Sequence, residues 1–307
     1  ADSAGAAKGI AYLERSLAID PNFAPAYVAM AGCYGLEVIY YAIPPAEGYS
    51  KNREVLQKAL ALDDTLSEAH TLLAGVYAWN DRNWNRSELE YRRAIGLAPQ
   101  NLIAHQYYAS FLGALGRLKE ADAEMKEAQR VDPLDTFAKW GAAQIKYWQG
   151  DFGAAEAILK NVLAQDPDFA LTPQLLAEVY WRESKFRESE ALLRARLVRQ
   201  PLDYLASGDL GYTLAKSGRA DEAREILKQL RAQEQQGLVP PQAAAMVYLG
   251  LNDLDRAVDE LWKACEERTL RAPWLVADPI YAPLKQHPKF IALLAHVNLS
   301  SQSLPSR

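Results

Sequence analysis

The sequence has few of the residues that build disulfide frameworks, zinc sites or membrane spans. It contains two cysteines among 307 residues, Cys33 and Cys265, and their separation matches neither a disulfide framework nor a zinc spacing. Each cysteine is therefore predicted to be a small apolar residue in a core. No apolar run reaches the roughly 18 residues that a membrane span needs, so we expect no membrane insertion.

The sequence also lacks an excess of charge that would attract a charged partner. Its 34 basic and 39 acidic residues give a formal net charge of -5 and are spread without runs. Such a chain does not build the positive field that nucleic acid or an anionic membrane requires, so we expect this segment to bind no nucleic acid. The even charge mix suits the cytoplasm, or the periplasm if the parent chain has an upstream membrane span.

What the sequence does contain is a repeat with a period close to 34 residues. Two columns recur in the same phase, one of small residues and one of large apolar residues. The small column holds Ala31, Ala74, Ala109, Ala143, Ala177, Gly211 and Ala245, and the large column holds Leu13, Leu56, Tyr91, Met125, Leu159, Leu193, Leu227 and Leu261. Because both columns share their spacings, the units are predicted to have one common structure.

Each unit is predicted to be a pair of helices. Residues 136–149 have a helical pattern, the turn at Gly150-Asp151 interrupts it, and residues 154–164 resume the period before Asp166-Pro167 ends it. The small column lets one helix approach its partner closely. One helical hairpin cannot bury its apolar faces alone, so neighbouring units must stack.

Two further columns recur in the same phase, a terminal proline at Pro21, Pro99, Pro133, Pro167 and Pro201 and a mostly aromatic position at Tyr34, Tyr77, Tyr180 and Tyr248. Together with the period and the small column, they resemble the tetratricopeptide repeat. The resemblance implies an all-α fold, an α-solenoid of stacked helix-turn-helix repeats in a right-handed superhelix. It places a lone capping helix at 1–23 and seven repeats at 24–269, the first with an insertion near 38–46. Lys146 departs from the pattern, because an aromatic residue is typical at its position.

The insertion and the tail are irregular. The insertion ends in Pro44-Pro45, and it either packs locally or reaches into the groove of the solenoid. Residues 270–299 are rich in proline and are predicted to form a cap with a short helix, whose stripe of Phe290, Leu293, Leu294 and Val297 covers the exposed end of the array. Residues 300–307 are predicted to be disordered.

Several of these features together resemble the carboxy-terminal repeat region of multidomain bacterial signalling proteins. They are Pro44-Pro45, residues 81–84, Ala104-His105 and the tail segments 278–279, 283–284, 287–290 and 293–294. In such proteins the array follows a winged-helix, Ser/Thr kinase or nucleotide cyclase domain. Because the sequence begins without methionine and with half a repeat, we expect it to be a processed or excised piece.

No catalytic motif occurs in the sequence. The patterns G-x-G-x-x-G, G-x-S-x-G and H-E-x-x-H and the P-loop are all missing. His70 and His105 share one repeat position and are predicted to pack between helices, whereas His287 and His296 have the wrong helical spacing for a shared metal. We therefore predict that the chain is not an enzyme and has no catalytic residue, metal site or cofactor.

The first helix of each repeat is expected to line a concave groove. The repeat phase places small residues in the early repeats and aromatic rings with neutral amides in the middle ones. The predicted partner-binding groove consists of Trp79, Gln106, Trp140, Gln144, Tyr147, Trp148, Gln174, Glu178, Trp181 and Tyr212. Aromatic rings cover apolar side chains and amides pair with an extended backbone, so we predict a scaffold that binds a protein or peptide there.

Two alternatives to this prediction stay open. In the first, Trp140, Trp148 and Trp181 only stack on one another to stiffen the array, or are covered by the insertion. In the second, the array self-associates into a homo-oligomer and so dimerises an attached effector domain. Light scattering tests the second alternative, because a chain that is strictly monomeric at micromolar concentrations would exclude self-association.

Overall fold

The fold is a row of helical hairpins. The computed structural model describes residues 3–39, 42–167, 169, 171–234, 239–269 and 272–299, and within these ranges every regular element is helical and none is a strand. The prediction of an all-α solenoid of stacked helix pairs is confirmed. The predicted disorder of residues 300–307 lies outside the described residues.

A lone helix is followed by seven helix pairs. The lone helix is α1 (Ser3–Ile19), and the pairs are α2 (Ala24–Ile39) with α3 (Pro45–Leu62), α4 (Ser67–Gly75) with α5 (Trp84–Leu97), α6 (Leu102–Ala114) with α7 (Leu118–Val131), α8 (Thr136–Gln149) with α9 (Phe152–Gln165), α10 (Leu171–Arg182) with α11 (Phe186–Arg199), α12 (Tyr204–Lys216) with α13 (Ala220–Glu234), and α14 (Pro241–Gly250) with α15 (Leu254–Glu266). A π-helical turn, Val76–Asn80, extends α4.

Local sequence explains the hairpins. In six of the pairs the turn contains a residue with positive φ, and these residues recur every 34 positions at Arg82, Gly116, Gly150, Ser184, Gly218 and Asn252. Glycine adopts this backbone conformation without steric cost, which accounts for its use at three of the six turns. Many helices then begin with an Asp or Asn cap; Asp151, for example, accepts a hydrogen bond from the Ala154 amide at 3.1 Å.

The two sequence columns are where the hairpins pack. All six alanines of the small column are fully buried. Helices α12 and α14 approach each other closely, because Gly208 and Gly250 lie against backbone: a Cβ on Gly208 would be 2.5 Å from the Ala243 carbonyl oxygen. The first helices of successive repeats contact one another and form one continuous row.

The insertion in the first repeat packs locally. A Cβ on Gly48 of α3 would be 2.2 Å from a methyl group of Val38 and 3.1 Å from one of Ile43, so both side chains cover the start of α3. Residues 40 and 41 of the insertion lie outside the described residues. The described part of the insertion thus favours local packing rather than a place in the groove.

The segment after the last repeat forms α16 (Trp274–Ala277), a 3-10 turn (Pro279–Leu284) and α17 (Pro288–His296). Helix α17 packs on α15 with Phe290, Leu293 and Val297 fully buried, as an end cap does. Helix α16, however, contacts α6 of the third repeat. The expectation of an end cap was therefore incomplete, because residues 272–284, here called the strap, lie across the first helices α6 and α8.

The second repeat is joined to the carboxy-terminal end of the array by a second set of contacts, here called the clasp. Arg82 donates a hydrogen bond to the carbonyl oxygen of Cys265. The Trp84 indole N–H donates to the Asn298 carbonyl oxygen at 2.6 Å, and the Asn298 amide donates to the Arg82 carbonyl oxygen at 3.4 Å. The clasp thus connects the second repeat with the last repeat and its cap.

Candidate functional site

The structure brings six of the ten predicted groove residues together beneath the strap. They are Trp140, Gln144, Tyr147 and Trp148 on α8 and Gln174 and Glu178 on α10, here called the groove floor. Five of them line a cavity of about 40 Å³ whose other walls include Trp274 and Asp278 of the strap. The sixth, Tyr147, is fully buried and hydrogen-bonds the strap.

Two strap residues make the directional contacts with the groove floor. The Trp274 ring meets the Trp148 ring edge-on, with centroids 6.5 Å apart and an interplanar angle of 67°. The Asp278 carboxylate accepts a hydrogen bond from the Tyr147 hydroxyl at 3.1 Å and caps its own turn by accepting from the Ile280 amide at 2.8 Å. An edge-to-face aromatic pair and a buried hydroxyl–carboxylate bond are both specific in their geometry.

Glycine on the neighbouring first helix makes room for the Trp148 ring. A Cβ on Gly113 of α6 would lie 2.5 Å from the ring of Trp148. The small residues of the early repeats therefore do not leave an empty end of the groove at this position. They allow the indole of one repeat to lie against the helix of the repeat before it.

The other four predicted residues do not line this cavity. Trp181 is an interior residue: its indole N–H donates to Ser189 at 2.9 Å and to Thr213 at 2.8 Å, and its ring lies 4.5 Å from that of Tyr212. Gln106 is buried and donates to the Asp135 carboxylate at 2.5 Å, at the start of α8. Trp79 is half-buried on the π-helical turn.

The three tryptophans pair with other rings rather than with one another. Trp140 lies 5.5 Å from Phe137, Trp148 pairs with Trp274, and Trp181 pairs with Tyr212. Mutual stacking of the three, the first alternative reading of the sequence, is thus not the arrangement in the structure. The cover over the floor is the strap.

Buried charge collects where the strap, α10 and α12 meet. Burial raises the pKa of Glu178 and Asp209 well above the usual carboxyl range, and it raises the pKa of Asp278 to about 6. Arg182 lies among these acids, yet its Nε and one Nη are buried without a hydrogen-bond partner. In the described part of the chain, no group of three or more His, Cys, Asp or Glu side chains is arranged to hold a metal ion.

We predict that the strap docks less firmly as the pH rises from about 4 to about 6. A carboxyl group on an undocked strap has a pKa near 3.9, whereas that of docked Asp278 is about 6, so docking binds a proton in this interval and is favoured at its acid end. Burial also raises the pKa of Tyr147, so its hydroxyl stays protonated and remains a donor. Glu178 and Asp209 face the same region, and burial shifts their pKa values in the same direction, upward.

Hydrogen exchange of residues 275–284, corrected for its intrinsic pH dependence, measures this effect. Protection should be greater at pH 4.5 than at pH 6.5, and Asp278→Asn should flatten the difference while keeping an oxygen acceptor for Tyr147. If protection depends on pH equally in the native chain and in Asp278→Asn, groups other than Asp278 cause the effect. His105 is one such group, because a hydrogen bond with Glu124 raises its pKa.

Two contributors to the site, Trp274 and Asp278, were missed by the reasoning from sequence. Both lie in the proline-rich tail, outside the repeat phase that assigned the groove. The signal for them is the run Trp274-Leu275-Val276-Ala277, which is too apolar for an exposed linker and too short to cover a helix end. Such a run needs a surface to pack against.

Comparisons with known proteins agree with this fold. A family model described as tetratricopeptide repeat matches residues 149–204. A chain of the APC/C hetero-tetramer Cut9–Hcn1 is 15% identical and superposes with a TM-score of 0.62, covering 94% of this chain and 52% of that one. No curated protein matches the sequence significantly.

Two bacterial structures give similar results. PilW, a type IV pilus biogenesis factor, is 24% identical with a TM-score of 0.54, covering 71% of this chain and 97% of PilW. A tetratricopeptide repeat protein from Parabacteroides merdae is 14% identical with a TM-score of 0.56, covering 81% and 97% of the two chains. Identities this low carry the likeness of fold alone. No helix among the described residues combines the length and apolar character that a membrane crossing needs.

Proposed function

We propose that this chain is a non-enzymatic protein-interaction scaffold whose groove floor binds an extended segment of a partner protein. One observation carries the proposal: the floor holds a chain segment, the strap, through an aromatic pair and a hydroxyl–carboxylate bond. A surface that orients a ring and a carboxylate has the elements that peptide recognition uses, an apolar contact for affinity and a polar contact for register.

The wider context is part of the same proposal. The insertion, turns and tail that resemble bacterial signalling proteins support a regulatory repeat region within a larger protein of that kind. Structural neighbours support the scaffold class, since one neighbour belongs to the hetero-tetramer Cut9–Hcn1 and another is the pilus biogenesis factor PilW. A gene that encodes these repeats in one polypeptide with a winged-helix, Ser/Thr kinase or nucleotide cyclase domain would support the signalling context, and a gene that encodes the repeats without an effector domain would contradict it.

Selection from a displayed library of unstructured peptides tests binding at the groove floor. We expect the full chain to enrich a set of peptides with related sequences. Tyr147→Phe and Gln144→Ala should lower the affinity of the chain for these peptides. Tyr12→Phe is the matched control, because Tyr12 is largely exposed on α1, outside the floor. The groove assignment would be wrong if the enriched peptides bind the two floor variants as tightly as they bind the control.

A further inference from the structure

We propose that the strap is an intramolecular competitor for the groove floor, and that the partner segment carries the same chemistry: a large aromatic ring followed four residues later by a carboxylate. This inference rests on the proposed function, since it names the partner class and the regulation of the same floor. The occupant from which it is argued is the strap itself.

The first argument is that different residues of the strap contact different parts of the protein. Trp274 packs on the apolar cluster of the floor, which contains Trp140, Trp148 and Leu175, and Asp278 bonds Tyr147. Leu275, Ile280 and Leu284 instead belong to the large buried cluster that runs from the second repeat to the cap. Trp274 and Asp278 thus contact the floor directionally, Ala277 adds an apolar contact with the same cluster, and a partner segment would replace these contacts.

The second argument is that the strap fits the floor incompletely. It leaves the cavity of about 40 Å³ between Gln144, Gln174 and Glu178. Arg182, one turn after Glu178 on α10, retains buried N–H groups without acceptors. An unpaired buried donor is costly, and a new acceptor for it is correspondingly favourable. A partner segment that adds a carbonyl or carboxylate acceptor for Arg182 would thus bind better than the strap does.

The third argument is covalent attachment. Because the strap is held near the floor, its effective concentration is high, and weak contacts suffice to keep the floor covered. A partner binds only the uncovered fraction of molecules, so its apparent affinity falls by that fraction. The strap also packs on α15 and α17, which the clasp holds to the second repeat, so opening of the clasp would favour uncovering of the floor.

A labelled peptide with the sequence of residues 272–284 tests the competition by fluorescence anisotropy. Native full-length chain should bind it weakly, because its floor is covered. The double variant Trp274→Ala with Asp278→Ala should bind it at least about tenfold more tightly. Peptides carrying Ala in place of Trp274 or of Asp278 should lose that gain, and Tyr12→Phe should behave as the native chain does.

Trp84→Phe provides a second variant that alters neither floor nor strap. It removes the indole donor of the clasp, so the floor should open more often and the same peptide should bind more tightly. This variant decides the question if circular dichroism shows that the double variant has lost helix. The competitor role is excluded if folded variants of both kinds bind the peptide no better than the native chain; the strap is then a brace.

The two proposals fail differently. Suppose that the library yields peptides whose binding depends on Tyr147 and Gln144, but that opening the strap does not increase the affinity for the 272–284 peptide. The proposal that the strap is a competitor is then wrong, and the proposal of a protein-interaction scaffold is retained. If neither the native chain nor Trp84→Phe enriches any peptide that depends on the floor, the proposed function itself is wrong.

Discussion

Trp148→Ala is expected to lower the free energy of unfolding by about 3–5 kcal/mol. The indole is 9% exposed and fills the space between Gly113 of α6 and Trp274 of the strap. Its removal leaves a cavity bounded by two helices and the strap, and rigid helices collapse little around such a space. Guanidinium unfolding followed by circular dichroism at 222 nm measures the loss.

Tyr12→Ala is the control for this substitution. Tyr12 is also a large aromatic residue, but it is 68% exposed on α1, so its removal should change stability by less than about 0.5 kcal/mol. A loss for Trp148→Ala as small as that of the control would contradict the packing described for the floor. Faster hydrogen exchange of residues 275–284 in Trp148→Ala would localise the loss to the strap.

Gly208→Ala is expected to destabilise the chain by about 3 kcal/mol, although it adds one methyl group. The new Cβ would lie 2.5 Å from the Ala243 carbonyl oxygen and 2.7 Å from the Ala243 Cα. Backbone atoms of a packed helix cannot move aside as a side-chain end can, so α12 and α14 must separate. Thermal unfolding of the full chain would show the effect as a lower midpoint.

Gly32→Ala is the matched control, since Gly32 lies within α2 and no atom comes within 4 Å of the Cβ it would gain. There the substitution should stabilise the chain by about 0.5–1 kcal/mol, because alanine favours a helix more than glycine does. The two glycine substitutions thus have opposite expected signs. If Gly208→Ala also stabilised the chain, the close approach of α12 and α14 would be refuted.

The fold was predictable from sequence because its information is local. A period near 34 residues places Ala143 and Leu159 in the core and the turn at Gly150, and each of these choices depends on contacts within one repeat or with its neighbour. Repeat phase also placed the floor, since Trp140, Gln144 and Tyr147 follow one face of a single helix. Such patterns survive in a sequence without any knowledge of distant contacts.

The contacts that could not be predicted from sequence join residues that are far apart along the chain. Tyr147 meets Asp278 across 131 positions, and no periodicity links a repeat to a tail. Repeat phase also cannot tell whether a residue of a first helix lines the groove or is buried inside the array, where its polar atoms form hydrogen bonds. Trp181 was assigned to the groove, but Ser189 and Thr213 accept its indole N–H inside the array.

The clasp changes how the solenoid should lose its structure. In an open array each repeat contacts only its neighbours, so repeats can unravel one after another from either end. Here Arg82 and Trp84 are bonded to residues 183 and 214 positions away. Fraying of the carboxy-terminal end therefore breaks contacts of the second repeat as well. This couples that end thermodynamically to the second repeat and raises the contact order of a fold otherwise made of local contacts.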